Sequence, residues 1–80
     1  MDFETRTALD GNVVVIEMPE LLNFDVADIL RSKLKSLVEN KQFRIVIDLT
    51  RTKYVDSSGL GAMVSRIAMA RSNGGDIRFA

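Results

Sequence analysis

The sequence has 80 residues, of which 46% are hydrophobic and 28% charged, and its 11 basic residues equal its 11 acidic ones. These values are typical of one small globular domain, near the size at which a single hydrophobic core is only just sufficient. The balanced charge argues against a nucleic-acid binder, and no apolar run approaches the roughly 18 residues of a membrane span. Neither nucleic acid nor a membrane is therefore an expected partner.

Two residue types with distinctive chemistry are missing, since the chain has no Cys and no His. Disulfides, thiolate metal ligands and a Ser-His-Asp triad within this chain are thereby excluded. A nucleophile elbow would need Gly two residues before the Ser, where this chain has Val55 or Asp56. We therefore expect no enzyme, cofactor or metal. The segment from Met1 to Glu4 has no secretory signal pattern, so the cytoplasm is the expected compartment.

The first part of the chain has the pattern of a β-hairpin. Residues 3–9 alternate loosely, Asp10-Gly11 is a two-residue turn signal, and residues 13–16 are an unbroken β-branched run. Because that run does not alternate, we expect the second strand to be buried on both faces, with the first strand at its edge. Pro19 cannot donate to a strand ladder, so the second strand is predicted to end near Met18.

An amphipathic helix is predicted after Asn23, which is a favourable N-cap. Its apolar positions recur at helical spacing: Val26, Ile29, Leu30, Leu34, Leu37 and Val38. Residues 43–49 are rich in β-branched side chains and predict a central strand. A strand, a helix and a strand in this order imply a right-handed parallel crossover, so the sheet is expected to be mixed.

A second helix is predicted from about Ser58 to Asn73, with Gly74-Gly75 as its left-handed C-cap. Its apolar face is predicted to consist of Leu60, Met63, Val64, Ile67 and Ala68. Residues 76–80 alternate polar and apolar and predict a final strand. The expected fold is one α/β domain over residues 1–80. It has an N-terminal β-hairpin followed by helix, strand, helix and strand, with the helices packed on a mixed sheet.

The candidate site lies in residues 54–61, where a strand ends and the second helix begins. Three N-cap residue types follow one another there: Asp56, Ser57 and Ser58. One of them is expected to cap the helix, which leaves a second hydroxyl free to face solvent. Gly59 and Gly61 are expected to leave the nearby backbone uncovered, so that another protein's active site can approach. The pattern therefore predicts a turn that a protein kinase can phosphorylate.

The order of elements and the string Asp56-Ser57-Ser58-Gly59-Leu60-Gly61 resemble the STAS domain, over essentially all 80 residues. The resemblance is closer to the bacterial anti-sigma factor antagonists. It implies that Ser57, directly after the aspartate, is phosphorylated by a partner anti-sigma factor with serine kinase activity and dephosphorylated by a protein phosphatase. It also implies that the unphosphorylated protein binds the anti-sigma factor and so frees a sigma factor. The residues expected to contact this partner are Asp56, Ser57, Ser58, Gly59, Leu60 and Gly61.

Ser58 is the rival phosphorylation site, and we expect it to be less available because it is the serine expected to cap the helix. Asp48 and Asp56 could be taken as a metal-binding pair, but we interpret Asp48 as structural. STAS domains also occur in transport assemblies and stress-sensing scaffolds, so an interaction module that uses no phosphate is the main alternative function. A third possible function is a small ligand-binding domain with its crevice at the strand ends.

The chain departs from the family pattern at two places. It ends at Ala80, whereas family members usually continue through another helix, so it is expected to be short at its C-terminus. Apolar surface left uncovered there suggests a homodimer, a shortened chain or a weakly stable monomer. Pro19-Glu20 stands where the family commonly has Gly before an acidic residue. The loop between Met18 and Asn23, often part of the partner surface, is therefore expected to differ.

Overall fold

A computed structural model describes residues 4–80 and divides them into six strands and three helices. In chain order these are β1 (Glu4–Ala8), β2 (Val13–Glu17), β3 (Leu21–Leu22), α1 (Phe24–Glu39), β4 (Arg44–Asp48), β5 (Tyr54–Val55), α2 (Ser57–Val64), α3 (Ile67–Ser72) and β6 (Asp76–Phe79). The predicted start of the first strand at Phe3 lies outside the described residues.

The main sheet has the strand order β1-β2-β4-β6. β1 pairs antiparallel with β2, whereas β2 with β4 and β4 with β6 are parallel pairs. The predicted mixed sheet, with the first strand at its edge, is thereby confirmed. Parallel neighbouring strands need crossover connections. Helix α1 supplies the crossover between β2 and β4, and the α2–α3 pair supplies the one between β4 and β6, so the fold belongs to the α/β class.

The hairpin loop is longer than the two residues that Asp10-Gly11 predicted. Ala8 still pairs with Val13, so the loop comprises residues 9–12. Two overlapping turns form it, because the Gly11 N–H donates to the Ala8 carbonyl and the Asn12 N–H to the Leu9 carbonyl, each at 3.2 Å. Leu9 and Asp10 both adopt positive φ angles, 52° and 58°, which places the turn one residue earlier than the Asp-Gly signal.

The core lies between one face of the main sheet and the helices. Most of the buried side chains form one cluster that joins Val14 and Ile16 of β2, and Ile45 and Ile47 of β4, to Leu30, Leu34, Ala62, Met63, Ala70 and Ile77. β2 is buried on both faces, as its unbroken apolar run predicted, since Val15 points away from this cluster and is also buried. The other sheet face carries charged pairs, including Arg6 with Asp48 at 3.9 Å.

Helix α1 follows its sequence prediction closely. Asn23 is the N-cap, and its Oδ1 accepts a hydrogen bond of 3.2 Å from the Val26 N–H. The buried residues repeat every three or four positions, as the apolar spacing predicted: Val26, Ala27, Leu30, Leu34 and Val38. The predicted positions Ile29 and Leu37 are partly buried against the same core.

The predicted second helix is divided in two. α2 ends at Val64 and α3 begins at Ile67, so the prediction of one helix to Asn73 is wrong. At the break, the Ser65 N–H and hydroxyl both donate to the Ala62 carbonyl, at 3.3 and 2.8 Å. A serine side chain bound to its own backbone in this way competes with helical hydrogen bonding, which explains the interruption.

The predicted glycine C-cap is present at the end of α3. Gly74 has a φ of 83°, and its N–H donates to the Arg71 carbonyl at 3.1 Å. The Gly75 N–H donates to the Ala70 carbonyl at 2.9 Å, which completes a Schellman motif. A Cβ at position 75 would overlap the Phe43 carbonyl, so only glycine fits there. This close approach sets β6 against β4.

Candidate functional site

The strand that leads into the candidate site is held by a neighbour that sequence reasoning missed. β5 pairs in parallel with β3, with Leu21 beside Tyr54 and Leu22 beside Val55, in a separate two-stranded sheet. The Lys53 N–H donates to the Glu20 carbonyl at 2.8 Å. A two-residue strand is too short to show an alternating pattern, so no periodicity could have revealed this pair.

Asp56 caps helix α2. Its backbone is extended, with a φ of −90° and a ψ of 179°, and its Oδ1 accepts a 2.8 Å hydrogen bond from the Gly59 N–H. The Asp56 N–H in turn donates to the Leu22 carbonyl at 3.2 Å, which ties the cap to β3. The expectation that Ser58 would be the capping serine is wrong, because Ser58 already lies inside the first helical turn.

Ser57 is the first residue of α2 and its side chain is exposed, whereas Ser58 is half-buried. Because Asp56 satisfies the Gly59 N–H, neither serine hydroxyl is needed as a cap. Among residues 4–80, no hydrogen bond engages either hydroxyl. The more accessible free hydroxyl of the turn is therefore that of Ser57.

The two glycines of the turn have different surroundings. Gly59 is buried, and a Cβ there would overlap the Leu22 side chain and lie 2.7 Å from the Leu22 carbonyl oxygen. Its expected role as uncovered backbone is wrong, since it packs α2 against β3. Gly61 is half-buried, and a Cβ there would meet only the end of the Arg31 side chain, at 3.3 Å.

The apolar face of α2 and α3 differs from the predicted one. Met63 is buried and Ile67 is half-buried, but Leu60, Val64 and Ala68 are exposed. The residues that face the core instead are small, namely Gly59, Ala62 and Ala70. Small residues let α2 approach β3 and α1 closely, and the larger apolar side chains are turned outward. The small residues at 59, 62 and 70 were the sequence signal for this orientation.

Exposed apolar side chains therefore lie on both sides of Ser57 along the chain. Tyr54 and Val55 precede it and are 55% and 37% exposed, and Leu60 and Val64 follow it at 56% and 46%. Leu21 lies beside Tyr54 in the two-stranded sheet and is also exposed. We call Leu21, Tyr54, Val55, Leu60 and Val64 the apolar surround. A free hydroxyl amid exposed apolar groups suits contact with another protein.

The residues considered for metal or ligand binding have other roles. Hydrogen bonds from the Thr50 hydroxyl and amide to Asp48 hold the pKa of that carboxyl below its usual value. Residues 4–80 contain no group of three or more potential metal-ligating side chains of the His, Cys, Asp and Glu types. The crevice at the carboxyl ends of β2 and β4, beside Asp48, holds about 160 Å³. This volume is below the range of roughly 300–1,000 Å³ usual for small-molecule sites.

The fold and the exposed turn define a small α/β domain suited to binding another protein. A family model of the STAS domain matches residues 4–80, and the chain belongs to that family. The anti-sigma factor antagonists of this family are binding proteins rather than enzymes, which agrees with the expectation that this chain is not an enzyme. Within residues 4–80, every helix is too short or too polar to traverse a lipid bilayer.

Named relatives are similar along most of this chain. An anti-sigma F factor antagonist of Paenibacillus polymyxa is 26% identical over 96% of the chain and 67% of its own length. The structure of the anti-sigma factor antagonist SpoIIAA in its unphosphorylated form superposes with a TM-score of 0.81, at 20% identity, over 96% of this chain and 70% of that one. The structure of a Thermotoga maritima protein provisionally assigned to the same class also superposes with a TM-score of 0.81, at 23% identity, over 96% of this chain and 65% of that one. The two structural likenesses establish the fold.

Proposed function

We propose that this chain is an anti-sigma factor antagonist and that Ser57 is its phosphorylation switch. In the unphosphorylated state it binds an anti-sigma factor with serine kinase activity, in the cytoplasm, and so frees a sigma factor for transcription. A protein phosphatase restores the free hydroxyl. The observation that carries the proposal is the exposed, unbonded Ser57 hydroxyl at the start of α2, in a chain of the STAS family.

The relatives support this proposal. One is named an anti-sigma F factor antagonist, and the SpoIIAA structure is described as the unphosphorylated form of such a protein. The chain spans 67% of the first and 70% of the second, so their whole-protein activity is transferred here as a proposal. The partner-binding residues we propose are Asp56, Ser57, Ser58, Leu60 and Gly61, with Gly59 supporting them from below.

The chemistry of the switch is a transfer of the ATP γ-phosphoryl group to the Ser57 Oγ, which releases ADP and the hydroxyl proton. The kinase partner supplies ATP and magnesium, so this chain needs no cofactor of its own. The product carries roughly −1.5 to −2 charges beside the Asp56 carboxylate. If the apolar surround packs against the partner, that charge becomes buried in the contact without a counter-charge from the partner, which costs several kcal/mol.

A kinase assay tests the site assignment. The protein is mixed with a serine-kinase anti-sigma factor and ATP, and intact mass spectrometry counts the added phosphates. We expect one phosphate on the parent, none on Ser57→Ala, and one on the matched control Ser58→Ala. Equal phosphorylation of Ser57→Ala and the parent would contradict the assignment.

A binding assay tests the mechanism. We expect Ser57→Asp to weaken binding to the unmodified partner at least tenfold, a change of about 1.4 kcal/mol, because it places a charge within the contact. Ser57→Asn has a similar size without the charge and should bind within about threefold of the parent. Equal affinity of Ser57→Asp and the parent would show that charge does not end the interaction.

A second candidate function is a STAS module that assembles with itself or a larger complex without using phosphate. Exposed apolar side chains away from Ser57 favour it, namely Met69 on α3 and Phe79 on the edge strand β6. Sedimentation velocity at several concentrations tests for the homodimer, and Phe79→Lys should shift it to monomer. A monomeric parent that the kinase modifies would favour the first function.

A further inference from the structure

Arg31 lies beside the turn that carries Ser57, although it belongs to a different helix. It is an exposed residue in the middle of α1, which packs along α2. Its Nη2 lies 3.5 Å from the Ser58 carbonyl oxygen, at the limit of a hydrogen bond. The guanidinium is therefore placed against the first turn of α2 by the packing of the two helices.

Because Gly61 has no side chain, the Arg31 guanidinium can lie close to the backbone of α2 at this position. A Cβ at position 61 would lie 3.3 Å from Arg31 Nη2. Positions 57 and 61 are four apart on α2 and so share a face, with Cβ positions about 5–6 Å apart. The Arg31 guanidinium thus lies against the face of α2 that also carries position 57, within one helical turn of it.

The charge of Arg31 is not taken up by an acidic side chain. Throughout residues 4–80, no carboxylate forms an ion pair with it, although Asp28 lies one turn earlier on the same helix. The other ionisable groups near the turn include Asp56 at the cap, Lys35 one turn later on α1 and Tyr54 on β5, with the ion pair of Lys53 and Glu20 at 3.9 Å just before β5. β3 contributes only Leu21 and Leu22. Arg31 therefore contacts this turn, and within residues 4–80 its guanidinium has no ion pair with an acidic side chain.

We infer that Arg31 receives the phosphate of phosphorylated Ser57. The guanidinium forms charge-assisted hydrogen bonds with the phosphate oxygens and holds the group against α2. Phosphorylation then adds charge to the partner surface while the domain stays folded, because the phosphate has a receptor within the same molecule. This inference rests on the proposed modification of Ser57, and it assigns a positioning role to a residue on a different helix.

The test uses the 80-residue chain assembled by peptide ligation with phosphoserine at position 57, so no kinase is needed. The second pKa of the phosphoserine is measured by ³¹P NMR titration at low salt. We expect Arg31→Gln to raise that pKa by about 0.5 units, a factor of about three in proton affinity, because a cation favours the dianion. Arg31→Lys should raise it less, and 0.5 M salt should shrink the difference.

The matched control is Arg44→Gln, which removes an exposed arginine at the amino end of β4. It should leave the phosphoserine pKa unchanged. An equal shift in both variants would show that only net charge matters, and no shift in Arg31→Gln would show that Arg31 does not hold the phosphate; either result overturns the inference. Because the phosphate is installed chemically, this outcome is independent of whether a kinase partner modifies Ser57 in the assay above.

Discussion

Helices α1 and α2 each begin directly after one strand of the β3–β5 pair, and each is capped by the residue between strand and helix. Asn23 caps α1 through a 3.2 Å bond to the Val26 N–H, and Asp56 caps α2 through a 2.8 Å bond to the Gly59 N–H. The first turn of α1 contains an acidic residue, Asp25, whereas that of α2 contains none.

This difference separates a structural helix start from one suited to modification. Asp25 already places a negative charge where the dipole of α1 favours one. The first turn of α2 has two serines in the corresponding region, so a phosphate there adds charge where no acid within the turn competes. Both helix starts thus carry one carboxylate, that of Asp25 within the first turn of α1 and that of Asp56 at the cap of α2, and they differ in that the first turn of α2 itself has hydroxyls and no acid.

The largest expected effect comes from Gly59, a glycine in close contact with β3 for which α1 has no counterpart in its sequence. Gly59→Ala should lower the free energy of unfolding by about 3 kcal/mol, since its Cβ would overlap Leu22. Urea denaturation followed by circular dichroism measures the change. Gly61→Ala is the matched control and should change stability by less than about 1 kcal/mol, because only the flexible Arg31 must move. Equal losses in the two variants would contradict the proposed packing role of Gly59.

The two caps give the next largest effect. Asp56→Ala should destabilise the protein by about 1.5 kcal/mol and Asn23→Ala by about 1 kcal/mol, because the bond that Asp56 accepts is shorter and involves a carboxylate. Asp56→Asn keeps a capping oxygen and should lose less than Asp56→Ala. Thermal unfolding of the three variants ranks them. A smaller loss of stability for Asp56→Ala than for Asn23→Ala would contradict the expected ranking of the two caps.

The smallest expected effect is that of a charge at position 57 on folding. Ser57→Asp should change the free energy of unfolding by no more than about 0.5 kcal/mol, because the dipole of α2 favours the charge and the neighbouring Asp56 opposes it. Urea denaturation of this variant beside Ser57→Asn isolates the charge. A loss of several kcal/mol would mean that a charge at this position acts by unfolding the domain rather than at a partner surface.

Much of the fold could be predicted because its signals are local and long. The β-branched run of β2 predicted a strand buried on both faces, and the spacing of apolar residues in α1 predicted its buried face and its Asn23 cap. The Gly74-Gly75 pair predicted the end of α3, since positive φ favours glycine. These elements depend on their own sequences more than on distant contacts.

The features that were missed depend on contacts between distant residues. The β3–β5 pair is too short to have a period, and the interruption at Ser65 comes from one hydroxyl rather than from Gly or Pro. Leu60 and Val64 fit the apolar spacing of a helix, but the small residues Gly59 and Ala62 determine which face packs inward. Sequence reasoning located the turn between β5 and α2 and left its cap open among three adjacent residues of capping type, with Ser58 wrongly favoured over Ser57 as the capping serine.

The pairing of β3 with β5 brings together parts of the chain that are far apart in sequence. The Thr52 hydroxyl donates to the Pro19 carbonyl across 33 positions, and the Asp56 N–H reaches Leu22 from the next segment. The shape presented by residues 56–61 therefore exists only after the amino-terminal strands have found their places. A kinase that requires this shape would phosphorylate folded molecules and leave nascent or denatured chains unmodified. Phosphorylation would then be confined to correctly folded molecules.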